Sequence, residues 1–143
     1  MSKLAVFFLG FLLLLGCSPS SLEDFQGDSE SICREIVNDL KTIYLREDLV
    51  KNVPRLRKKF IALVDVIIEA RKFQESHPEE MTSFSLYSDE VQSEHLREEL
   101  ERIYHIEGGK ELIEKAQKEA LLRLDAFERQ IKKQKNKRSK GIN

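Results

Sequence analysis

The chain has 143 residues, of which 41% are hydrophobic and 34% are charged, so it is long enough for one domain with a modest core and too short for two. The formal net charge is −1, but residues 129–143 hold seven basic residues and no acidic one, whereas residues 17–128 hold 16 basic and 25 acidic residues. Two cysteines are too few for a disulfide framework, and the fold must therefore depend on packing.

The first predicted element is an export signal at the N-terminus. A positively charged start with Lys3 is followed by the apolar run Leu4 to Leu15, which ends at Gly16-Cys17. A membrane-spanning helix needs about 20 apolar residues, so this shorter run is typical of the apolar part of a signal peptide and not of a transmembrane helix.

The end of the apolar run resembles the lipobox of bacterial lipoprotein precursors, in which Leu, a small or β-branched residue, and Gly or Ala precede an obligatory Cys. Leu14, Gly16 and Cys17 match this pattern, and Leu15 is larger than the usual residue at its position. The resemblance implies cleavage between Gly16 and Cys17, an S-diacylglyceryl group on the Cys17 thiol and N-acylation of the freed amine. It also implies export and membrane anchoring in the bacterial cell envelope. In bacteria that sort lipoproteins by the residue after the lipidated Cys, an Asp there signals retention in the inner membrane. This chain has Ser18 instead, so the outer membrane is favoured where there is one.

A small and polar stretch, residues 18–28, is typical of a tether between the lipid and the folded domain. Leu22 and Phe25 would shorten this tether if they packed back onto the domain. We therefore divide the chain into a signal peptide (1–16), a lipidated N-terminus and tether (17–28), a helical domain (29–131) and a basic C-terminal tail (132–143).

Apolar residues at three- and four-residue spacings predict two helices in the first half of the body. The first begins near Asp28 or Ser29, both good N-cap residues, and ends at Asn52-Val53-Pro54. Pro54 suits the first turn of a second helix, because the N–H that proline lacks has no partner there. This second helix ends at His77-Pro78 and contains the most apolar segment of the mature chain, so we expect it at the centre of the core.

Two further helices follow a loop at residues 78–88. The third begins at Ser88 or Asp89 and ends at Gly108-Gly109, because glycine readily adopts the left-handed conformation at a helix end. The fourth runs from about Lys110 into the basic tail. The sequence therefore predicts an all-α fold, a bundle of three to four antiparallel helices, with the tail at the end of the domain far from the lipid.

The chain has three histidines, the residue type that most often acts in general acid–base catalysis. His77 precedes a proline at a helix end, which fits a capping role, while His95 and His105 have glutamates one turn away without a recognised metal-binding spacing. Cys33 lies among apolar residues, so we expect a small buried side chain, with an intermolecular disulfide as the alternative. We therefore predict no catalytic residue, no cofactor and no metal. An enzyme would require a pocket that His95, His105 and several carboxylates line together.

The basic tail is the remaining candidate for binding. One interpretation is a solvated helix end whose charges complement the helix dipole. The other is contact with an anionic surface, since basic residues are attracted to a charged bilayer. Nucleic acid is not an expected partner, because the tail lacks interleaved aromatic residues. The residues of this candidate contact are Lys132, Lys133, Lys135, Lys137, Arg138 and Lys140.

These patterns predict a lipoprotein that is attached to a membrane through Cys17 and whose helical domain is not an enzyme. Its expected partner is another protein of the cell envelope. The alternative is a lipoprotein whose basic tail docks on an anionic membrane or envelope polymer and bridges two envelope layers.

Overall fold

The computed structural model describes residues 21–78 and 90–140, and in these ranges the chain forms four α-helices and no strand. This confirms the prediction of an all-α bundle. The predicted signal peptide, the lipidation site Cys17 and the predicted helix start at Ser88 or Asp89 lie outside the described residues. The helices are α1 (Leu22–Lys41), α2 (Arg46–Ser76), α3 (Glu90–Tyr104) and α4 (Gly109–Lys140).

Helix α1 begins at Leu22, so the prediction of a tether up to residue 28 and a domain that starts at residue 29 is wrong. The Ser21 hydroxyl accepts a hydrogen bond from the Asp24 N–H, and the Asp24 carboxylate accepts one from the Ser21 N–H, both at 3.2 Å. This reciprocal pair is a capping box, which satisfies N–H groups that the first helical turn leaves without partners. Ser29, the predicted cap, lies inside the helix, and its hydroxyl donates to the Gln26 carbonyl.

The start of α1 is also held by packing. Leu22 and Phe25 are buried in a small apolar cluster with Ala70, and Val66 and Phe73 of α2 cover this cluster. Burial of apolar side chains is the main favourable term in folding, so residues 22–28 belong to the bundle. The alternative in which Leu22 and Phe25 shorten the tether is the one that the structure shows.

Helix α1 ends at Lys41, and the prediction that it continues to Pro54 is wrong. The Asp48 carboxylate accepts hydrogen bonds from the N–H groups of Tyr44 (3.2 Å) and Leu45 (3.0 Å), which starts α2 at Arg46. Pro54 therefore lies inside α2. A proline in a helix interior removes one backbone hydrogen bond, and the fully buried Leu49 and Leu56 on either side keep this segment packed as helix.

The turn between α3 and α4 depends on two glycines. Helix α3 ends at Tyr104, earlier than predicted, and α4 begins at Gly109. Gly108 has a φ of 68°, which confirms the predicted left-handed glycine at this turn. Gly109 has a different role, because a Cβ atom there would lie 2.0 Å from the Ile103 carbonyl oxygen. The backbones at Gly109 and Ile103 therefore lie too close together for any side chain at position 109.

The main core lies where α1 and α2 pack against each other and against one further helix each. The most extensive contacts are between α2 and α4 and between α1 and α2, α1 also packs on α3, and α3 and α4 have few contacts. The helices are therefore arranged in the order α3, α1, α2, α4. The buried core residues are Ile36, Leu40, Ile43, Leu49, Leu56, Phe60, Val64, Ile103, Ile113, Ala116 and Ala120.

A largely buried ion pair joins α1 to α2. Asp39 is only 8% exposed, and its Oδ2 lies 2.7 Å from Lys59 Nζ and 3.3 Å from Arg55 Nε. Lys59 Nζ also lies 3.2 Å from the Glu35 carboxylate, one turn earlier in α1. Since higher numbers on α2 meet lower numbers on α1, these two helices are antiparallel.

Ion pairs also fix the direction of α2 relative to α4. The pairs advance together along both helices, so α2 and α4 run parallel as neighbours. Alternate helices of an up-and-down bundle run parallel to each other. They are not usually neighbours, because short connections place sequential helices side by side. The three pairs, in chain order, are Arg57–Glu119, Asp65–Arg123 and Arg71–Glu128.

Two glycines in helices provide a matched test of this packing. We expect Gly109→Ala to lower the free energy of unfolding by about 2 kcal/mol, because its Cβ would overlap the Ile103 carbonyl. Gly27→Ala should raise it by about 0.5–1 kcal/mol, because nothing lies within 4 Å of the new Cβ and alanine favours helix. Urea unfolding, monitored by circular dichroism, measures both free energies of unfolding. Equal effects of the two substitutions would contradict the close approach at Gly109.

Candidate functional site

The predicted basic contact residues lie on the last turns of α4. Phe127 is the last buried residue of this helix, Ile131 is half-buried, and every residue from 132 to 139 is exposed. The helix continues to Lys140, so the predicted tail is a helical extension of the bundle. We call residues 132–140 the basic extension. Its exposed cations are Lys132, Lys133, Lys135, Lys137 and Arg138, and Lys140 is its last helical residue.

Charge is distributed around the basic extension and not along one face. Successive helical residues turn by about 100°, so six basic residues in nine positions surround the axis. None of residues 132–140 is apolar, and the extension therefore has no apolar face that could enter a bilayer. Within the described ranges, no carboxylate forms an ion pair with a cation of residues 132–139. What this segment offers a partner is positive charge.

The basic extension lies at the same end of the bundle as the start of α1, so the prediction that places it at the far end is wrong. Phe25 contacts Phe73 near the end of α2, with 5.7 Å between ring centroids, and Arg71 pairs with Glu128 of α4. The N-terminal turn of α1, the C-terminal part of α2 and residue 128 of α4 are therefore at one level. The physical reason is that an even number of alternating helices returns the chain to the end where it began.

A groove between α2 and α4 lies toward the opposite end of the bundle. Its volume is about 460 Å³, and its walls are mainly apolar. Three basic side chains stand around these walls: Arg57, Lys58 and Lys115. Arg57 pairs with Glu119, whereas Lys58 and Lys115 form no ion pair with any residue that the structure describes. The apolar lining consists of Val50, Val53, Pro54, Ile61 and Leu112.

Exposed apolar residues also lie at the tip of the bundle, in the turn that precedes α2. Tyr44 is 74% exposed and Leu45 is 63% exposed, both in the turn between α1 and α2, and Val50 is 47% exposed on the groove wall. Single exposed apolar residues are normal in proteins, but several of them at the same end of the bundle as an apolar groove are typical of a contact surface. We call the groove together with Tyr44 and Leu45 the distal surface.

Arg102 of α3 holds the turn that carries the distal surface. Its guanidinium donates to the carbonyls of Leu40 (2.7 Å) and Ile43 (2.8 Å), which are among the last carbonyls of α1 and its following turn. Its Nε donates to the Glu99 carboxylate at 2.9 Å, and its Cζ lies 5.8 Å from the Tyr44 ring centroid. A cation at the C-terminal end of a helix is stabilised by the partial negative charge of these carbonyls.

The histidines do not form a shared site. His95 and His105 are exposed, and His105 Nδ1 lies 2.8 Å from the Glu101 carbonyl oxygen. His77 caps the end of α2 as predicted and stacks on Phe73, with 4.1 Å between ring centroids. In the parts of the chain that the structure describes, no three His, Cys, Asp or Glu side chains are grouped as metal ligands. Cys33, which we expected to be buried, is half-buried on α1.

Hydrogen bonds that join or start helices lower the pKa values of Asp48 and Glu119 from their ordinary values. The backbone N–H groups of Leu45 and Tyr44 lower the pKa of Asp48 at the start of α2. The guanidinium groups of Arg57 and Arg123 lower the pKa of Glu119 at the contact between α2 and α4. Both carboxylates are held in the ionised form by groups that position helices, so neither is prepared for proton transfer.

Comparisons of this chain with protein-family models, curated proteins and solved structures found no match. Among the helices of the described ranges, none combines the length and the apolar character that crossing a bilayer requires. The candidate surfaces are thus defined by their geometry and chemistry: a basic extension at one end and an apolar groove with a basic rim toward the other.

The role of Arg102 can be tested by substitution. We expect Arg102→Ala to lower the free energy of unfolding by about 2 kcal/mol. The substitution removes the hydrogen bonds from a charged donor and leaves the carbonyls of Leu40 and Ile43 without that donor. Arg102→Lys should recover only part of this loss, because an ammonium group lacks the planar fork that reaches both carbonyls. Urea unfolding measures the effect. The control is Arg97→Ala on the same helix, which removes an exposed pair with Glu94 and should leave the midpoint nearly unchanged.

Proposed function

We propose that this protein is a lipid-anchored protein of the bacterial cell envelope whose helical domain is not an enzyme and binds another envelope protein. The resemblance of Leu14 to Cys17 to a lipobox supports the anchor. The exposed positions of His95 and His105 support a role without catalysis. The observation that carries the proposal of a protein partner is the apolar groove of the distal surface.

The chemistry of the groove indicates what kind of segment it binds. Val50, Val53 and Leu112 offer apolar contact, and Lys58 and Lys115 offer positive charge at the edge. An amphipathic segment with an apolar face and acidic flanking residues would complement both features. A highly charged ligand without an apolar part would leave the walls uncovered, and a purely apolar one would leave the two lysines without a partner.

A second candidate function concerns the basic extension. Its exposed cations and its lack of apolar residues favour docking on an anionic membrane or envelope polymer. This function does not compete with a protein partner for the same residues, because the groove and the extension are on different parts of α4.

The anchor can be tested in cells by metabolic labelling with radioactive palmitate. We expect the wild-type chain to be labelled and Cys17→Ser to be unlabelled, because an S-linked diacylglyceryl group requires the Cys17 thiol. Globomycin should cause the unprocessed precursor to accumulate. Cys33→Ser is the matched control, since Cys33 is the only other cysteine, and it should be labelled like the wild type. A wild-type chain without label would refute the anchor.

The protein partner can be tested by cross-linking in intact cells. A photoreactive residue at position 50 should give a discrete adduct with an envelope protein, whereas the same residue at position 34, on the exposed side of α1, should not. Lys58→Glu combined with Lys115→Glu should reduce the adduct roughly tenfold, which corresponds to about 1.4 kcal/mol of lost attraction. The control is Arg34→Glu combined with Lys41→Glu on α1, which changes the net charge equally. An adduct that survives the groove substitutions would contradict the proposed surface.

A further inference from the structure

We infer that the basic extension binds the anionic headgroups of the same membrane leaflet that holds the lipid on Cys17, so that the bundle stands upright with its distal surface away from that membrane. This inference rests on the proposed lipidation of Cys17. It goes beyond that proposal because it assigns a single bilayer to both attachments and excludes a bridge between two envelope layers.

The first support is the position of the two chain ends. The capped start of α1 at Ser21 adjoins the cluster of Leu22 with Ala70, and this part of α2 is level with Glu128 through Arg71. The chain therefore leaves α1 toward Cys17 at the end of the bundle from which the basic extension projects.

The second support is a match of lengths. Residues 129–140 extend α4 by about 18 Å beyond Glu128, at 1.5 Å for each residue. Cys17 precedes Ser21 by four residues, which reach at most about 14 Å when fully extended. A bilayer surface close enough to hold the lipid of Cys17 is therefore also within the reach of the extension.

The third support is that so short a connection cannot turn the bundle over. Helix α2 alone has 31 residues and is therefore about 46 Å long. A link of about 14 Å cannot pass along the side of such a body to place its opposite end on the membrane. The basic extension consequently stays on the membrane side in every orientation except a strong tilt.

The chemistry of the extension fits headgroups and not the bilayer interior. Its cations surround the helix and no apolar residue lies among them, so contact is electrostatic and requires no insertion. Attraction of this kind fades within a Debye length, about 8 Å at physiological ionic strength. The lipid keeps the extension within that distance, and the two attachments thus reinforce each other as linked binding sites do.

This orientation determines the height of the groove. Leu112 on the groove wall precedes Lys132 by 20 residues of continuous helix, which corresponds to about 30 Å along the axis. The proposed partner would therefore meet the groove well above the headgroups, where a membrane-bound or free envelope protein can approach it from the side.

The test uses the full-length lipidated protein in vesicles of phosphatidylcholine, with or without phosphatidylglycerol. A fluorophore is placed at Asn136→Cys in the extension or at Glu47→Cys at the start of α2, each with Cys33→Ser, and a headgroup-bound quencher reports proximity to the surface. We expect several-fold stronger quenching at position 136 than at position 47 when phosphatidylglycerol is present. The difference should shrink without phosphatidylglycerol or at high salt.

A charge-matched pair of variants separates this contact from a general effect of charge. Replacing the extension cations should abolish the difference between positions 136 and 47, whereas replacing the same number of body cations outside the groove should preserve it. The extension variant carries Lys132→Gln, Lys133→Gln, Lys135→Gln, Lys137→Gln and Arg138→Gln, and the control carries Arg34→Gln, Lys41→Gln, Lys51→Gln, Lys110→Gln and Lys118→Gln.

Flotation with pure phosphatidylcholine vesicles reports the lipid anchor separately. Protein that does not float would overturn the anchor and this inference with it. Protein that floats, but shows equal quenching at positions 136 and 47 with phosphatidylglycerol, would overturn this inference alone. Capture of a second population of anionic vesicles through the extension would also overturn it, because the extension would then face away from the bilayer that holds the lipid.

Discussion

Arg102 brings together the elements on which the distal end of the bundle depends. Helix α3 is short and has few contacts with α4, so its position is set mainly by α1. The Arg102 guanidinium binds carbonyls of Leu40 and Ile43, and at the same point Ile43 and Ile103 are fully buried in the main core. Polar and apolar contacts thus fix the same corner. Because the turn after α1 leads directly into α2, this corner also sets where the groove wall begins.

The side-by-side, parallel packing of α2 and α4 gives the bundle its division of surfaces. The two longest helices meet along their length, and ion pairs such as Arg71–Glu128 keep them in register. Residues in the N-terminal halves of both helices form the walls of the groove, while α4 alone continues past the other end. A bundle with α2 and α4 at diagonal corners would have no groove between them. The groove and the basic extension therefore both result from the parallel packing of α2 and α4, and about 30 Å of helix separates them.

Apolar periodicity was sufficient to predict an all-α bundle, and the Gly108-Gly109 pair located the α3–α4 turn. The errors come from local signals that compete. Ser21 and Asp24 have the spacing of a capping box, but their small and polar neighbours are equally typical of a tether, and only the burial of Leu22 and Phe25 distinguishes the two. The groove could not be predicted, because exposure of residues such as Val50 depends on which helices become neighbours. The role of Arg102 could not be predicted either, because its hydrogen bonds to the Leu40 and Ile43 carbonyls depend on α3 packing beside the end of α1.

The uneven charge described for the chain has a mechanical consequence near a charged surface. Residues 17–128 have 25 acidic and 16 basic residues, while the seven cations of residues 129–143 are concentrated at one end of α4. The molecule is therefore an electric dipole with its positive pole beyond the bundle. In the field of an anionic bilayer this dipole experiences a torque, because the surface attracts the positive pole and repels the acidic body. Alignment would thus begin before any cation touches a headgroup, over about 8 Å at physiological ionic strength.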